Sequence, residues 1–229
     1  VYKRQIMIRT FATSLILLAG SNLVLGQKTI ELNDFQTLKV YDKIPVELIH
    51  SDTPKIEING SLAEKVVIEQ DYNELKIKLS GIDLLQGDNT QIVLYYTTLN
   101  DIQASQGSRI ESEDVLGGES LKLTSNEGST IKLKIDTNSL SAKLNSGGNM
   151  ILSGQVKKQD VIVNTGAQFE SKNLVSSFTN VTCNAGGHAW VHAKDKVDAK
   201  VRAGGVIRVY GNPSHKKQKK IAGGSIQFN

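Results

Sequence analysis

One cysteine, three prolines, two methionines and one tryptophan in 229 residues are the first constraints on this chain. The lone Cys183 has no intramolecular partner, so a disulfide framework is excluded and the fold must be held by burial and backbone pairing. Scarce proline beside 20 glycines excludes collagen-like and proline-rich disordered sequence, and 39% hydrophobic residues suffice for a packed core. Charge of one sign is also missing. Lys3, Arg4 and Arg9 fall in the first 26 positions, which hold no acidic residue; beyond them 24 positive residues face 23 negative ones. The basic pI therefore gives no argument for nucleic acid, and no such partner is expected.

Those first 26 residues have the layout of a secretory signal. A positive start leads into an apolar run from Phe11 to Gly20, then Leu23-Val24-Leu25-Gly26, with processing expected between Gly26 and Gln27. Polar Thr13, Ser14, Ser21 and Asn22 break the run, which favours a cleaved signal over a spanning helix of about 20 apolar residues. The expected destination is the periplasm, the cell surface or the medium.

What the chain has in quantity is a period. Short alternating runs are interrupted by glycine turns whose first Gly stands at 107, 128, 147, 166, 186, 204 and 223, separated by 21, 19, 19, 20, 18 and 19 residues. Three residues after that Gly come Ile110, Ile131, Met150, Phe169, Ala189, Ile207 and Ile226; five after it come Ser112, Leu133, Leu152, Ser171, Val191, Val209 and Phe228. This is period-2 alternation, the signature of strands with one buried face. A unit of about 19 residues cannot bury its own apolar face, so neighbours must stack and share a core. The expectation is an all-β chain, a single-stranded parallel β-helix or β-solenoid with Gly-Gly turns, each unit reading strand, turn, strand, turn. At about 4.8 Å per coil, seven coils make a rod roughly 30 Å long. The predicted buried stripe includes Leu123, Leu133, Leu144, Leu152, Val163, Val191, Ile207 and Val209. Asn126, Asn145, Asn164 and Asn184, each two before the Gly, are expected to superpose as a structural ladder, with Asn tolerating the left-handed backbone of the turn.

One domain over residues 27–229 is expected. Residues 27–99 are strand-rich but lack the glycine register and read as longer first coils plus a cap, with one helical turn near Leu62–Val66. Residues 100–229 hold the seven repeats.

Several segments together resemble a known family, the putative auto-transporter adhesin, head GIN domain, common in exported proteins of Bacteroidetes. The resemblance spans about residues 30–229. It rests on Phe35-x-x-Leu38-x-Val40, Ile44-x-Val46-x-Leu48, Leu75-x-Ile77, the repeated Gly-Gly-x-Ile/Val turns, and Val209-Tyr210-Gly211-Asn212-Pro213 before Gly223-Gly224-Ser225-Ile226. It implies a β-solenoid and an adhesin-like role, and supplies no catalytic residues.

Three candidate sites follow from the residues. His188, Trp190 and His192 alternate on one strand and form the candidate binding surface, because exposed aromatics anchor contacts. The two histidines lie about 13 Å apart along a strand, too far to share one metal whose bonds are near 2 Å, so neither metal nor cofactor is expected. The run Lys216-Lys217-Gln218-Lys219-Lys220 reads as a solvated loop with weak attraction for anionic polysaccharide or lipid headgroups. Glu111, Glu113 and Asp114 with Arg109 are the best carboxylate cluster, and Cys183 reads as a small core residue. The expected function is a non-enzymatic, adhesin-like binding or scaffold protein contacting a surface glycan or protein. A carbohydrate-active β-helix enzyme, lyase or hydrolase, is the alternative from another class. A structural envelope protein that self-associates through its open C-terminal coil is the third.

Overall fold

The computed structural model describes residues 28–229 except Ile82, so the expected export signal at 1–26 lies outside the described residues. Sixteen strands run through them with no α-helix, only single 3-10 turns at Ala63–Lys65 and Gly87–Asn89. The N-terminal strands are short: β1 (Lys28–Glu31), β2 (Thr37–Val40), β3 (Pro45–His50), β4 (Lys55–Gly60), β5 (Val66–Asp71), β6 (Glu74–Leu79), β7 (Thr90–Tyr96) and β8 (Asp101–Ala104). Five long ones follow, β9 (Arg109–Asn126), β10 (Thr130–Asn145), β11 (Asn149–Val163), β12 (Gln168–Asn184) and β13 (His188–Arg202). The chain finishes with β14 (Val206–Tyr210), β15 (His215–Ile221) and β16 (Ser225–Phe228).

From β9 to β14 each strand pairs in parallel with the next, and β10 meets β11 from Thr130↔Asn149 to Leu144↔Val163 at a constant offset. The fold is therefore the β-solenoid that the glycine spacing predicts, with about 19 residues per coil. In β9 to β13 the second turn of the unit is a corner inside one continuous strand, and in the last unit residues 211–214 separate β14 from β15. In β10 the buried positions are Ile131, Leu133, Ile135 and Thr137, then Leu140, Ala142 and Leu144. That one-residue slip in alternation between 137 and 140 bends the strand while keeping both arms apolar inside. Every coil thus has a first arm after the glycine turn and a second arm before the next. All eight residues of the predicted stripe are buried.

The sharp turn has two consecutive left-handed residues and a closing bond. Ser146 and Gly147 have φ of 49° and 75°, and the Gly148 N–H donates to Asn145 O at 2.9 Å, the pattern of a type I′ turn. The left-handed positions are thus the two residues after the Asn, and the Asn itself stays outside that region. Successive turns are tied to one another: Gly107 N donates to Glu127 O, Gly128 N to Ser146 O and Gly147 N to Thr165 O, at 2.9–3.1 Å. The asparagine amides run beside them. Asn145, Asn164 and Asn184 each donate Nδ2 to Oδ1 of the Asn one coil earlier, at 2.7, 2.8 and 2.7 Å. Arg202 follows Asn184 in register, and there the Asn184 Oδ1 is buried without a partner.

The N-terminal part has the same coil geometry in a different order. Tyr41-Asp42-Lys43-Ile44 is a further such turn without glycine, with φ of 60° at both Asp42 and Lys43 and Ile44 N donating to Tyr41 O. The coil β2–β3 lies between β6–β7 on one side and β8–β9 on the other, all in parallel register. Antiparallel β4, β1 and β5 then cover the outer edge of that end. Residues 28–99 are thus a cap whose first coil is threaded inside later chain. At the other end the lysine run forms an edge strand instead of the expected loop: β15 pairs in parallel with the second arm of β13, and all seven of its residues are exposed. Backbone pairing with β13 holds it extended, since none of its own residues is buried.

Candidate functional site

The candidate binding surface lies on the first arm of β13, where Ala189, Val191 and Ala193 fill the core and the intervening residues face out. His188, Trp190 and His192 are half-buried, less exposed than a free stripe, because each is flanked in register by residues of two neighbouring coils. Trp190 stands between Glu170 of β12 and Arg208 of β14. Its ring centroid is 6.0 Å from that of His188, tilted by 42°. His192 pairs with Tyr210, and its Nδ1 lies 3.2 Å from the carbonyl oxygen of Lys172. The Lys172 ammonium sits 4.9 Å over the Tyr210 ring, a cation–π contact. Gly211, with φ of 89°, lets the chain pass tightly here, since a Cβ on it would lie 2.4 Å from the His192 ring. Stacking of coils therefore adds Lys172 and Tyr210 to the residues legible along one strand. A residue on the next coil falls 18 or 19 positions away, and adding that offset to His192 finds Tyr210.

The carboxylate cluster is distributed otherwise. Arg109 and Lys132 lie 3.6 and 3.9 Å from the two oxygens of Glu111, and Lys134 contacts Glu113 at 3.0 Å. Asp114 Oδ2 accepts the His50 backbone N–H at 3.0 Å. The hydrogen bond and charge of Lys134 hold the Glu113 carboxyl below its ordinary range. A glycosidase acid requires the opposite shift, so this cluster has the electrostatics of a surface salt network. Glu111 and Glu113 line an open cleft of about 380 Å³ with Pro45, Glu47, Gln91 and Arg109. Cys183 is fully buried and burial pushes its thiol up to about 12, so it is no nucleophile at neutral pH. Among the described residues no three His, Cys, Asp or Glu side chains are grouped to hold a metal ion. Nor is any helix among them long and apolar enough to cross a membrane.

The buried polar residues were not legible as such. Ser112 and Ser171 occupy slots that are apolar in other coils and satisfy themselves on carbonyls, Leu48 O and Trp190 O, both at 2.9 Å. Gln159 is fully buried and donates to Ser176 and Thr179 at 3.0 Å each.

No curated protein sequence matches the chain. Solved structures of the same fold exist. A protein named as a putative adhesin of Bacteroides fragilis matches with a TM-score of 0.80 at 17% identity, over 89% of this chain and 96% of that one. Another so named, from Parabacteroides merdae, matches with 0.73 at 20% identity, over 91% and 97%. A third, from Parabacteroides distasonis, named as a putative lipid binding protein, matches with 0.64 at 17% identity, over 89% and 96%. At these identities the likeness concerns the fold. In sequence, the profile of the family described as putative auto-transporter adhesin, head GIN domain, matches residues 34–213, and the chain belongs to that family.

Proposed function

We propose that this protein is an exported, non-enzymatic binding module of adhesin type, and that the first-arm face around Trp190 is its contact surface for a surface glycan or protein. The observation that supports this most directly is the gathering of His188, Trp190 and Tyr210 with Lys172 and Arg208 on one sheet face. Aromatic side chains held by neighbouring strands contact a partner at low entropic cost, and Trp, Tyr and Arg supply most binding energy in such surfaces. Adhesion is the role that the family name carries.

A glycan-array screen of residues 27–229, run beside Trp190→Ala and beside an assay for reducing ends and unsaturated sugars, tests the reading. Binding that falls about thirtyfold in the variant, with no turnover by either protein, is the expected result. Turnover that Glu111→Gln abolishes would make the protein a carbohydrate-active enzyme instead. Silence on every array together with self-association on sizing would make it a structural component.

A further inference from the structure

Charge is segregated along this rod. Residues 27–193 carry 15 Lys and Arg against 21 Asp and Glu, a net of −6; residues 194–229 carry 9 against 2, a net of +7. The parallel register places most of the positive excess on the outward side of one sheet, the stack of second arms. In rows one coil apart stand Lys158 and Ile162; Phe178, Asn180 and Thr182; Lys196, Asp198, Lys200 and Arg202; then His215, Lys217, Lys219 and Ile221. The acids on this face are neutralised in place. Lys158 and Asn180 hold Asp160 at 2.9 and 2.6 Å, and Lys200 and Lys217 hold Asp198 at 3.7 and 3.1 Å. Among the described residues, no acid lies within 4.0 Å of the charged groups of Lys196, Arg202 and Lys219.

The same face exposes apolar side chains among its cations. Phe178 lies in register between Lys158 and Lys196, and Ile221 lies beside Arg202. Phe178, Ile162 and Ile221 are exposed to 43%, 44% and 43%.

We propose that this second-arm face is a docking surface for an anionic lipid membrane. A plane of lysines attracts a negatively charged leaflet, each contributing roughly one decimal power or slightly less to partitioning. Apolar side chains placed between the cations enter the headgroup layer, and lysine stems lie along it with their ammonium groups at the phosphates. A soluble polyanion would use the charge and leave Phe178, Ile162 and Ile221 without a partner, so the apolar side chains favour the bilayer. This face is separate from the Trp190 face, which lies on the first arms, so either site can fail without the other.

Co-sedimentation of residues 27–229 with vesicles tests the assignment. Binding is expected to vesicles of phosphatidylcholine with phosphatidylglycerol, to be absent with phosphatidylcholine alone, and to weaken as salt rises. Lys217→Glu with Lys219→Glu, both at exposed positions of β15, should lower partitioning at least roughly thirtyfold with an unchanged circular dichroism spectrum. Phe178→Ser should weaken vesicle binding severalfold and leave binding to a soluble sulfated polysaccharide unchanged. Equal binding to neutral and anionic vesicles would overturn the proposal. So would failure to bind vesicles beside tight binding of the soluble polysaccharide, or indifference of vesicle binding to Phe178→Ser.

Discussion

Gly147 and Gly148 stand side by side in one turn and solve different problems. Gly147 has φ of 75° and open space around its missing side chain, so Gly147→Ala costs only left-handed strain of roughly 1–2 kcal/mol. Gly148 has no positive φ, but a Cβ there would lie 2.2 Å from the backbone oxygen of Ser125 in the preceding coil. Gly148→Ala must push two coils apart and should cost about 3 kcal/mol or more, which urea denaturation of the two variants will separate. Equal costs would contradict this division of labour. The glycine period was legible because the first of these needs leaves Gly the cheapest residue in every turn. Its second need varies, since Ser108 and Ser129 take the Gly148 position by donating Oγ to Val40 O and Ala104 O. Cys183 allows a test by pH. Burial raises its thiol from 9.0 to about 12, and burial, with the nearby Asp114 charge adding to it, raises Tyr96 from 10.0 to about 12. Both groups ionise more readily in the unfolded chain. Their contribution to stability is therefore complete below about pH 9 and is lost as pH climbs towards 12. Cys183→Ala should flatten the part of that decline beginning near pH 9 and leave the part from Tyr96, read as urea midpoints across the alkaline range.

At the scale of the element, β15 shows what an open edge requires. Its Lys216, Gln218 and Lys220 sit in register with buried Val197, Ala199 and Val201, inward slots that hold Thr179, Val181 and Cys183 one coil earlier. The Lys216 ammonium lies 5.2 Å over the Phe228 ring, so its stem covers part of the core end while its charge repels another edge. Lys216→Val with Lys220→Val should therefore yield concentration-dependent oligomers on sizing, with the coil content unchanged by circular dichroism. A monomer at all concentrations would remove the gatekeeping role. The sequence of this strand reads as a loop because it has no apolar alternation, and pairing to β13 supplies the order that side chains do not. The turn at Tyr41–Ile44 was missed for a related reason. It has neither Gly nor Asn, and Asp42 holds it by accepting the Leu79 N–H at 2.9 Å through Oδ2, a contact 37 residues away. The candidate surface was half legible: alternation put His188, Trp190 and His192 on one side, while Lys172 and Tyr210 join them only through coil stacking.

Over the whole molecule, the constant offset between β10 and β11 makes the coil a removable unit. Deleting Thr130 to Gly148, 19 residues, should leave a cooperatively folding rod, because Asn149 then meets Arg109 as Thr130 does now. Removing 9 residues from the same segment inverts the inward set of every later arm and should abolish cooperative thermal unfolding. The cap offers no such freedom, and the reason is the threading of β2–β3 between β6–β7 and β8–β9. Its contacts join residues as far apart as Val40 and Ser108, 68 positions, whereas each later coil rests on a neighbour about 19 away. Loop closure over that distance must precede the pairing of β2–β3 with β8–β9, so the cap is expected to be the slow step and the later coils to add quickly onto its finished edge. A chain delivered N-terminus first could pair β2 and β3 with β6 and β7 by residue 96, but their other edge would stay open until about residue 112 had arrived, and only then would the rod acquire a direction in which to grow.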